Sequence, residues 1–412
     1  MGRLRAVLGG NRDLRLLLAA NLVSQTGDWI LRTGMAYQIY VLTGSTLASA
    51  GAVLASLVPT VALSSVAGVY ADRWDRRRTM AVTNLLMAAA LLPLLAVQDA
   101  GRAWIVYAVI AAQSCLAPFF TSSEAALVPS VTPADHLVTA NSLNAQARDV
   151  ARLVGAALGG VIAGFGGIAL LSVVDAATFL LAAGLIAGVR ARPATAKAGR
   201  PHVLREWAAG LRIATHGRAL RVFLAFALIT GVGEAIIGTL AAPFVRDVLG
   251  GDARAYGLIM ASQAIGGIAG GVLATATGHR FTPRAMYGWG AVIFGALDLT
   301  LFLYPLFTRA LWPAAVLIAL AGIPVAFLVA GSMTVFQQAT EDRHRGRVYG
   351  AMLAVDGAAM LLGTIAAGTL ADRIGILPVI TVQGVVYAGA GVLVLLALPR
   401  DTPVRPAVAL AA

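Results

Sequence analysis

Residues 46–78 read TLASAGAVLASLVPTVALSSVAGVYADRWDRRR, an apolar run that ends in a cluster of arginines. The first 26 of these residues carry no charged side chain. A helix needs about 20 mostly apolar residues to cross a bilayer, so this run predicts a membrane span. Four arginines follow between positions 73 and 78. Because lysine and arginine accumulate in cytoplasmic loops, the stretch predicts a transmembrane helix followed by a cytoplasmic loop.

The same alternation of apolar runs and short polar loops continues along all 412 residues. Hydrophobic residues make up 59% of the chain and charged residues 12%, whereas a soluble domain carries about 25% charged residues. So few charges cannot cover a water-facing surface, and lipid must surround much of the chain. We therefore predict an all-α membrane protein with twelve transmembrane helices, placed at 14–42, 46–71, 79–98, 103–122, 140–164, 168–189, 220–243, 256–277, 285–304, 312–335, 348–370 and 376–398.

The 31 lysines and arginines are distributed unequally between the two sides of these spans. If the N-terminus is cytoplasmic, 23 of them fall in cytoplasmic segments and five on the opposite side. This bias predicts a bacterial inner-membrane protein with both termini in the cytoplasm, and it accounts for the net charge of +12 without a nucleic-acid partner. The chain has one cysteine, and its five histidines fall in polar connecting stretches, so we expect neither a disulfide framework nor a metal site.

The longest polar stretch, 190–218, divides the spans six and six. We expect an N-terminal half at 1–189, a cytoplasmic linker at 190–218 and a C-terminal half at 219–412. Part of the linker has the spacing of an amphipathic helix on the membrane surface, and a plain linker is an equal alternative. The halves look related: Gly27-Asp28 recurs as Gly233-Glu234 at an offset of 206, and Gly155 recurs as Gly363 at 208. An even number of spans per half makes these parallel repeats, which place a binding site at the repeat interface.

Polar residues form a stripe along the first span. Asn21, Gln25, Asp28 and Arg32 are spaced 4, 3 and 4 residues apart and so share one helix face. Charges inside a membrane are costly and usually face a cavity or a partner, so the stripe predicts a water-filled pathway. The alternative is a static Asp28–Arg32 pair that only shields both charges.

Glu234 occupies the repeat position of Asp28 and has no basic residue in the central turns of its own span. A carboxyl in this setting can gain and lose a proton, which predicts that Asp28 and Glu234 couple transport to protons. A neutral Glu234, hydrogen-bonded inside the bundle, is the alternative. The predicted substrate cavity adds Gln113, Met352 and Asp356 to the stripe, although core packing suits Met352 better.

Span 5 begins with Arg148 and Arg152, and Arg148 matches Asp356 by the repeat. We expect an Arg–Asp pair across the bundle that locks the protein, in preference to direct substrate contact. Glycines at 155, 159 and 160 predict close helix packing, which is compatible with a flexible hinge. Asp175 and Asp298 are expected to have local partners and no part in transport.

The loop after span 2 reads Gly68-Val-Tyr-Ala-Asp72-Arg73-Trp-Asp75-Arg76-Arg77-Arg78. It resembles the signature G-x-x-x-D-R-x-G-R-R of the major facilitator superfamily at its usual place, with Asp75 where the general pattern has glycine. Ser24 to Trp29, Phe119 to Pro129, Ala140 to Leu143 and Arg345 to Val348 resemble the drug/proton antiporter branch that includes macrolide efflux proteins and the enterobactin exporter. Gly155 to Gly160 is similar to the antiporter motif G-P-x-x-G-G, with Ala156 in place of proline.

The resemblance implies that Gly68, Asp72, Arg73, Arg76 and Arg77 act in gating. Asp72 would lie at the positive N-terminal end of span 11, and the arginines would bridge to acidic groups or lipid phosphates. The alternative for the arginines is that they only set the topology.

The predicted function is export of amphipathic small molecules by proton antiport through alternating access. A siderophore or lysolipid exporter, or a nutrient symporter, is the alternative. No Walker A pattern occurs, so we expect the proton gradient to be the energy source without any cofactor. An enzyme or a sensor is disfavoured, because no clustered catalytic set and no sizeable soluble domain are evident. We expect a monomer whose partners are substrate, protons and lipids.

Overall fold

The computed structural model describes residues 11–133, 137–190, 212, 215, 217–340 and 345–399, with the backbone alone at 64–66, 68–73, 138–139, 142, 145 and 345–347. The described chain is almost entirely helical. Its helices are α1 (Arg12–Thr43), α2 (Thr46–Arg73), α3 (Arg76–Ala90), α4 (Ala103–Val131), α5 (Leu137–Ala187), α6 (Arg218–Pro243), α7 (Ala253–Thr277), α8 (Pro283–Leu303), α9 (Leu311–Ala339), α10 (Arg345–Ile374) and α11 (Ile376–Ala397). Most of the predicted linker lies outside the described residues.

α5 contains two spans in one continuous element. Gly167 interrupts it with a φ of 55°, a backbone conformation that only glycine adopts at no steric cost. The first arm, 137–166, and the second arm, 168–187, are each long enough to cross a bilayer. Counted with the two arms of α5 apart, the described residues form twelve α-helical segments, and the loop expected between spans 5 and 6 is a single kink.

Ten of the described helices have the length and hydropathy of membrane spans. That count takes the two arms of α5 as one helix and leaves out α1, whose polar stripe lowers its hydropathy. α1 is nevertheless a regular helix with defined ends. Asn11 caps it by accepting a hydrogen bond from the amide of Leu14 at 3.0 Å, and Gly44 ends it with a φ of 65°.

The chain divides into two compact units. Unit 1 comprises residues 1–44, 51–201 and 252–261, and unit 2 comprises 45–50, 202–251 and 262–412. In unit 1, α5 packs against α1 and α3, and α4 packs against α3. In unit 2, α6 packs against α10 and α11, and α8 packs against α9 and α11. An apolar core in unit 1 joins α1, α3, α4 and the second arm of α5, and one in unit 2 joins α6, α8, α9 and α11.

The first turn of α2 belongs to unit 2, whereas the rest of this helix belongs to unit 1. The Asp372 carboxylate on α10 accepts hydrogen bonds from the Thr46 amide at 2.9 Å, the Thr46 hydroxyl at 2.6 Å and the Ser45 hydroxyl at 3.0 Å. A carboxylate at this place satisfies free amides at the start of a helix and is favoured by the helix dipole. Asp372 therefore caps a helix that lies more than 300 residues away in sequence.

Repeat-related glycines make equivalent contacts in the two units. A Cβ on Gly155 would come within 2.5 Å of Trp29 and 2.7 Å of the carbonyl of Thr26 on α1. A Cβ on Gly363 would come within 3.0 Å of Val232 on α6. Both glycines thus allow a fifth span to pack closely on a first span. These matching contacts agree with the internal repeat seen in the sequence.

Candidate functional site

Asp28 lies near the middle of α1 and is partly exposed, and Arg32 follows one turn later with an exposed side chain. The two groups interact electrostatically. The Arg32 guanidinium lies 5.3 Å from the centre of the Trp29 ring, which is within the range of a cation–π contact. Arg32 therefore supplies a positive charge beside Asp28 and has a second contact that fixes its position.

Asp175, on the second arm of α5, is fully buried. Its Oδ1 accepts a hydrogen bond from the Thr178 hydroxyl at 3.1 Å, whereas its Oδ2 is buried without a hydrogen-bond partner among the described residues. Gly27 of α1 faces both side chains, and a Cβ at position 27 would overlap them. Asp175 thus has the local partner that we expected, but it also packs against α1, and its carboxylate interacts electrostatically with Asp28.

Glu234 occupies the equivalent place on α6. Its carboxylate accepts a hydrogen bond from the Tyr387 hydroxyl on α11. A Cβ on the preceding residue, Gly233, would lie 3.1 Å from the Tyr387 ring and 3.6 Å from Gln383. In both units a glycine therefore brings the first helix close to the last helix of the unit, with an acidic residue directly after it.

Two further acids surround Glu234. Asp298 on α8 is 3% exposed and accepts a hydrogen bond from the Gln383 amide at 2.9 Å. Asp356 on α10 is partly exposed and lies against Gly231 of α6. Both acids interact electrostatically with Glu234. Within the part of the chain that the structure describes, these acids do not converge as metal ligands.

Several residues that we assigned to a substrate cavity have other contacts. Asn21 is 2% exposed and donates a hydrogen bond to Asn144 at 2.5 Å. Gln113, which is partly buried, donates to the carbonyl of Met87 at 3.0 Å. Met352 is 4% exposed and lies in an apolar cluster of unit 2. Hydrogen bonds thus occupy the Asn21 and Gln113 side chains, and packing buries Met352 in this structure. The assignment of these three residues to a substrate cavity stays a prediction.

The accessible part of the predicted stripe is its second half. Gln25 and Asp28 are partly exposed and Arg32 is exposed. Burial of Asn21 shortens the stripe by one turn, because a buried amide in a membrane finds a protein partner when water is absent. That Gln25, Arg32 and Asp356 line a substrate cavity stays a prediction.

Sequence reasoning missed Glu124. We expected span 4 to end at residue 122, whereas α4 continues to Val131 and includes this acid. Glu124 is 4% exposed, accepts a hydrogen bond from Asn144 at 2.7 Å and lies 3.9 Å from the guanidinium of Arg148. The helical spacing of Leu127, Val128 and Val131 was the signal that could have extended the span.

The structure places the predicted charge lock of span 5 in unit 1. Arg148 has Glu124 as a neighbour there, and its expected pairing with Asp356 stays a prediction. Arg152 carries a buried Nε without a hydrogen-bond partner. The glycines of the same arm provide close packing: a Cβ on Gly159 would come within 2.6 Å of the carbonyl of Ile30 on α1, and one on Gly160 within 2.6 Å of Gly257. A hinge at these glycines stays a prediction.

The arginines after α2 bind helix ends. Arg76 donates to the carbonyl of Ala126 at 3.0 Å, and Arg77 donates to the carbonyl of Ala187, the last residue of α5, at 2.7 Å. Carbonyls near helix ends offer acceptors that favour a cation. The expected bridges from these two arginines to acids or lipid phosphates stay a prediction. The side chains of the other predicted gating residues, at 68, 72 and 73, lie outside the described residues.

Comparisons with known proteins agree with this architecture. The sequence profile of the transmembrane secretion effector family matches residues 10–406. The chain belongs to this family of major facilitator transporters. It is 23% identical to macrolide efflux protein A of Streptococcus pyogenes over 363 residues, which cover 87% of this chain and 89% of that protein.

A second relative and a solved structure extend the comparison. The chain is 28% identical to the multidrug efflux pump Tap of Mycolicibacterium fortuitum over 386 residues, covering 88% of this chain and 90% of the pump. Its fold is similar to the inward-facing crystal structure of a bacterial homologue of the iron transporter ferroportin, with a TM-score of 0.75 at 16% identity over 93% of this chain and 98% of that one. The protein is thus a multi-span membrane transporter with the major facilitator fold.

Proposed function

We propose that this transporter exports amphipathic small molecules across a bacterial inner membrane and is driven by protons moving inward. The observation that carries the proposal is the matched pair of acids, Asp28 on the first helix of unit 1 and Glu234 on the first helix of unit 2. Each follows a glycine that faces the last helix of its unit. Both termini would lie in the cytoplasm, as the distribution of lysine and arginine favours.

Protonation of these acids offers a way to couple the proton gradient to a conformational change. An ionised carboxylate inside a membrane is stable only near water or a partner, whereas a protonated carboxyl tolerates apolar surroundings. Binding or loss of a proton therefore changes which conformation is favoured. In alternating access, protons entering from outside and substrate entering from inside would compete, and inward proton flow would drive efflux.

The names of two relatives support drug-like cargo, since one is a macrolide efflux protein and another is a multidrug efflux pump. The exposed end of the α1 stripe, with Gln25 and Arg32 beside Asp28, would give polar contacts to an otherwise apolar substrate. Proton antiport and the class of cargo are the parts of the proposal that transport measurements must test.

The test is uptake into proteoliposomes with an acidic lumen, measured with radiolabelled erythromycin and with tetraphenylphosphonium. Protein inserted with its cytoplasmic side outward will accumulate at least one probe only while the pH gradient lasts. Asp28→Asn and Glu234→Gln will abolish the gradient-driven accumulation, because each keeps the shape of the side chain and removes its titration. Asp99→Asn is the matched control, since the Asp99 side chain is 63% exposed and pairs with Arg102 outside the proposed site.

Undiminished gradient-driven accumulation in both site variants would refute the proposed coupling residues. Accumulation of neither probe, together with gradient-driven movement of a siderophore or a lysolipid, would replace the cargo and keep the mechanism. Uptake of a nutrient along with the proton flux would refute export.

A further inference from the structure

We propose that Asp175 holds an exchangeable proton and passes it to Asp28, so that the two carboxyls form the proton-carrying pair of unit 1. This inference rests on the proposed function, because it concerns the coupling site of the same transporter. It adds a residue that we had expected to have only a local structural role.

The geometry places Asp175 directly against the helix that carries Asp28. A Cβ on Gly27 would overlap both the Asp175 carboxylate and Thr178, so only glycine leaves room for this acid beside α1. Asp175 is fully buried, and its Oδ2 has no hydrogen-bond partner in the described part of the chain. A carboxylate oxygen left in this state is unusual, since buried polar atoms are nearly always paired. A proton on Oδ2 would turn that atom into a hydrogen-bond donor.

The charges around Asp28 and Asp175 favour a state in which the two carboxyls together hold one proton. Arg32 offsets the charge of Asp28, and of the described charged groups only Asp28 interacts appreciably with Asp175. The other described charges on α1, α3, α4 and α5 belong to other turns: Arg12, Asp13 and Arg15 at the start of α1, Arg76, Arg77 and Arg78 at the start of α3, Glu124 near the end of α4, and Arg148, Asp149 and Arg152 on the first arm of α5. A second buried negative charge without its own cation is strongly disfavoured, and adjacent carboxyls relieve such repulsion by holding a proton.

Unit 2 shows that the fold does not need an acid at this place. Gln383 lies 208 residues after Asp175, which is the repeat offset, and it faces Gly233 as Asp175 faces Gly27. An amide satisfies the packing there and donates to Asp298. Thr178 would be satisfied equally by an amide oxygen at position 175. The carboxyl of Asp175 is therefore better explained by its proton than by packing.

The proposed step transfers one proton and needs no other reactant. Protonated Asp175 loses the hydrogen on Oδ2, the ionised Asp28 gains it, and the charge of the pair is unchanged. Asp28 is partly exposed, whereas Asp175 is buried, so Asp28 exchanges protons with water and Asp175 stores the proton away from it. Substrate or conformational change would act on the pair through Asp28.

Two measurements on the full-length protein test the pair, with Asp175→Asn as the variant and Ser172→Ala as the control. Ser172 is buried one turn earlier on α5, and its hydroxyl donates a hydrogen bond to the carbonyl of Ile168 on the same helix. The first measurement is infrared spectroscopy of the carboxylic acid carbonyl stretch as pH is varied. The second is the midpoint of gradient-driven erythromycin or tetraphenylphosphonium uptake against pH, in protein that elutes as a single folded species.

We expect Asp175→Asn to remove one protonated-carboxyl band and to move the uptake midpoint by about one pH unit or more, the usual effect of a neighbouring carboxyl. Ser172→Ala should change neither. An unchanged infrared band in folded Asp175→Asn protein overturns the inference, and so does an unchanged midpoint. If the wild type shows no proton-driven uptake, the proposed function fails, and the infrared band still reports separately whether Asp175 holds a proton.

Discussion

Gly27 determines how closely α1 approaches the second arm of α5. A Cβ at this position would overlap the side chains of Asp175 and Thr178. We expect Gly27→Ala to destabilise the protein by about 1–3 kcal/mol, the usual cost of overpacking a filled core. The measurement is the melting temperature of the purified protein in detergent.

Gly184 is the matched control for this substitution. It lies on the same helix as Asp175, and a Cβ there would have no neighbour within 4 Å. We expect Gly184→Ala to be neutral or to stabilise by up to about 1 kcal/mol, because alanine favours helix. Equal melting temperatures for the two alanine variants would contradict the contact between Gly27 and α5.

Asp75 stands where the superfamily signature has glycine, and the structure explains why an aspartate is acceptable there. It caps α3, and its side chain accepts a hydrogen bond from the amide of Arg78 at 2.9 Å. Glycine, the residue of the general signature, is also acceptable at this capping position. The substitution therefore keeps the turn between α2 and α3, and the arginines that follow remain in place to contact Ala126 and Ala187.

At the scale of the helices, a series of hydrogen bonds between buried polar side chains connects three helices of unit 1. Asn21 on α1 donates to Asn144 on α5, and Asn144 donates to Glu124 on α4. Hydrogen bonds between membrane helices contribute about 0.6 kcal/mol on average and up to about 1.7 kcal/mol. In a double-mutant cycle of Asn21→Leu and Asn144→Leu, we expect a coupling energy in this range.

The cycle is measured as the free energy of unfolding by detergent titration. Asn84→Leu is the control, because the amide of Asn84 donates to the carbonyl of Met80 on its own helix. Its combination with Asn144→Leu should be additive to within about 0.5 kcal/mol. Additivity of Asn21→Leu with Asn144→Leu would show that the hydrogen bond between α1 and α5 contributes nothing to stability.

The helices were predictable from the sequence because apolar runs of membrane length have one stable solution in a bilayer. The contacts between helices were not predictable, because they depend on which helix faces pack against each other. Asn21 and Met352 were assigned to a cavity from polarity and flexibility alone, and packing buries both. Glu124 was missed because a span boundary fell two residues before it, and the place of Asp175 beside Gly27 depends on a contact across about 150 residues.

At the scale of the whole molecule, the repeat was visible because it leaves residue matches at a nearly constant offset. Gly27-Asp28 and Gly233-Glu234 have equivalent neighbours in the two units, and Gly155 and Gly363 have equivalent partners on the first helices. The partners of the first-helix acid differ between the units: Asp28 interacts electrostatically with the Asp175 carboxyl in unit 1, and Glu234 accepts a hydrogen bond from the Tyr387 hydroxyl in unit 2. If both acids carry protons, as proposed, these unlike partners would give them different proton chemistry.

The distribution of lysine and arginine predicts the orientation of the whole molecule in the membrane, and this prediction is open to a direct test. With both termini cytoplasmic, the loop that contains Ala100 faces outward and the loop that contains Phe281 faces the cytoplasm. Both residues are exposed. In a Cys115→Ala background, we expect a membrane-impermeant maleimide to label Ala100→Cys on intact spheroplasts, and Phe281→Cys only after permeabilisation. The reverse pattern would invert the topology and the direction of the proposed transport, whereas labelling of both sites on intact spheroplasts would contradict an odd number of spans between them.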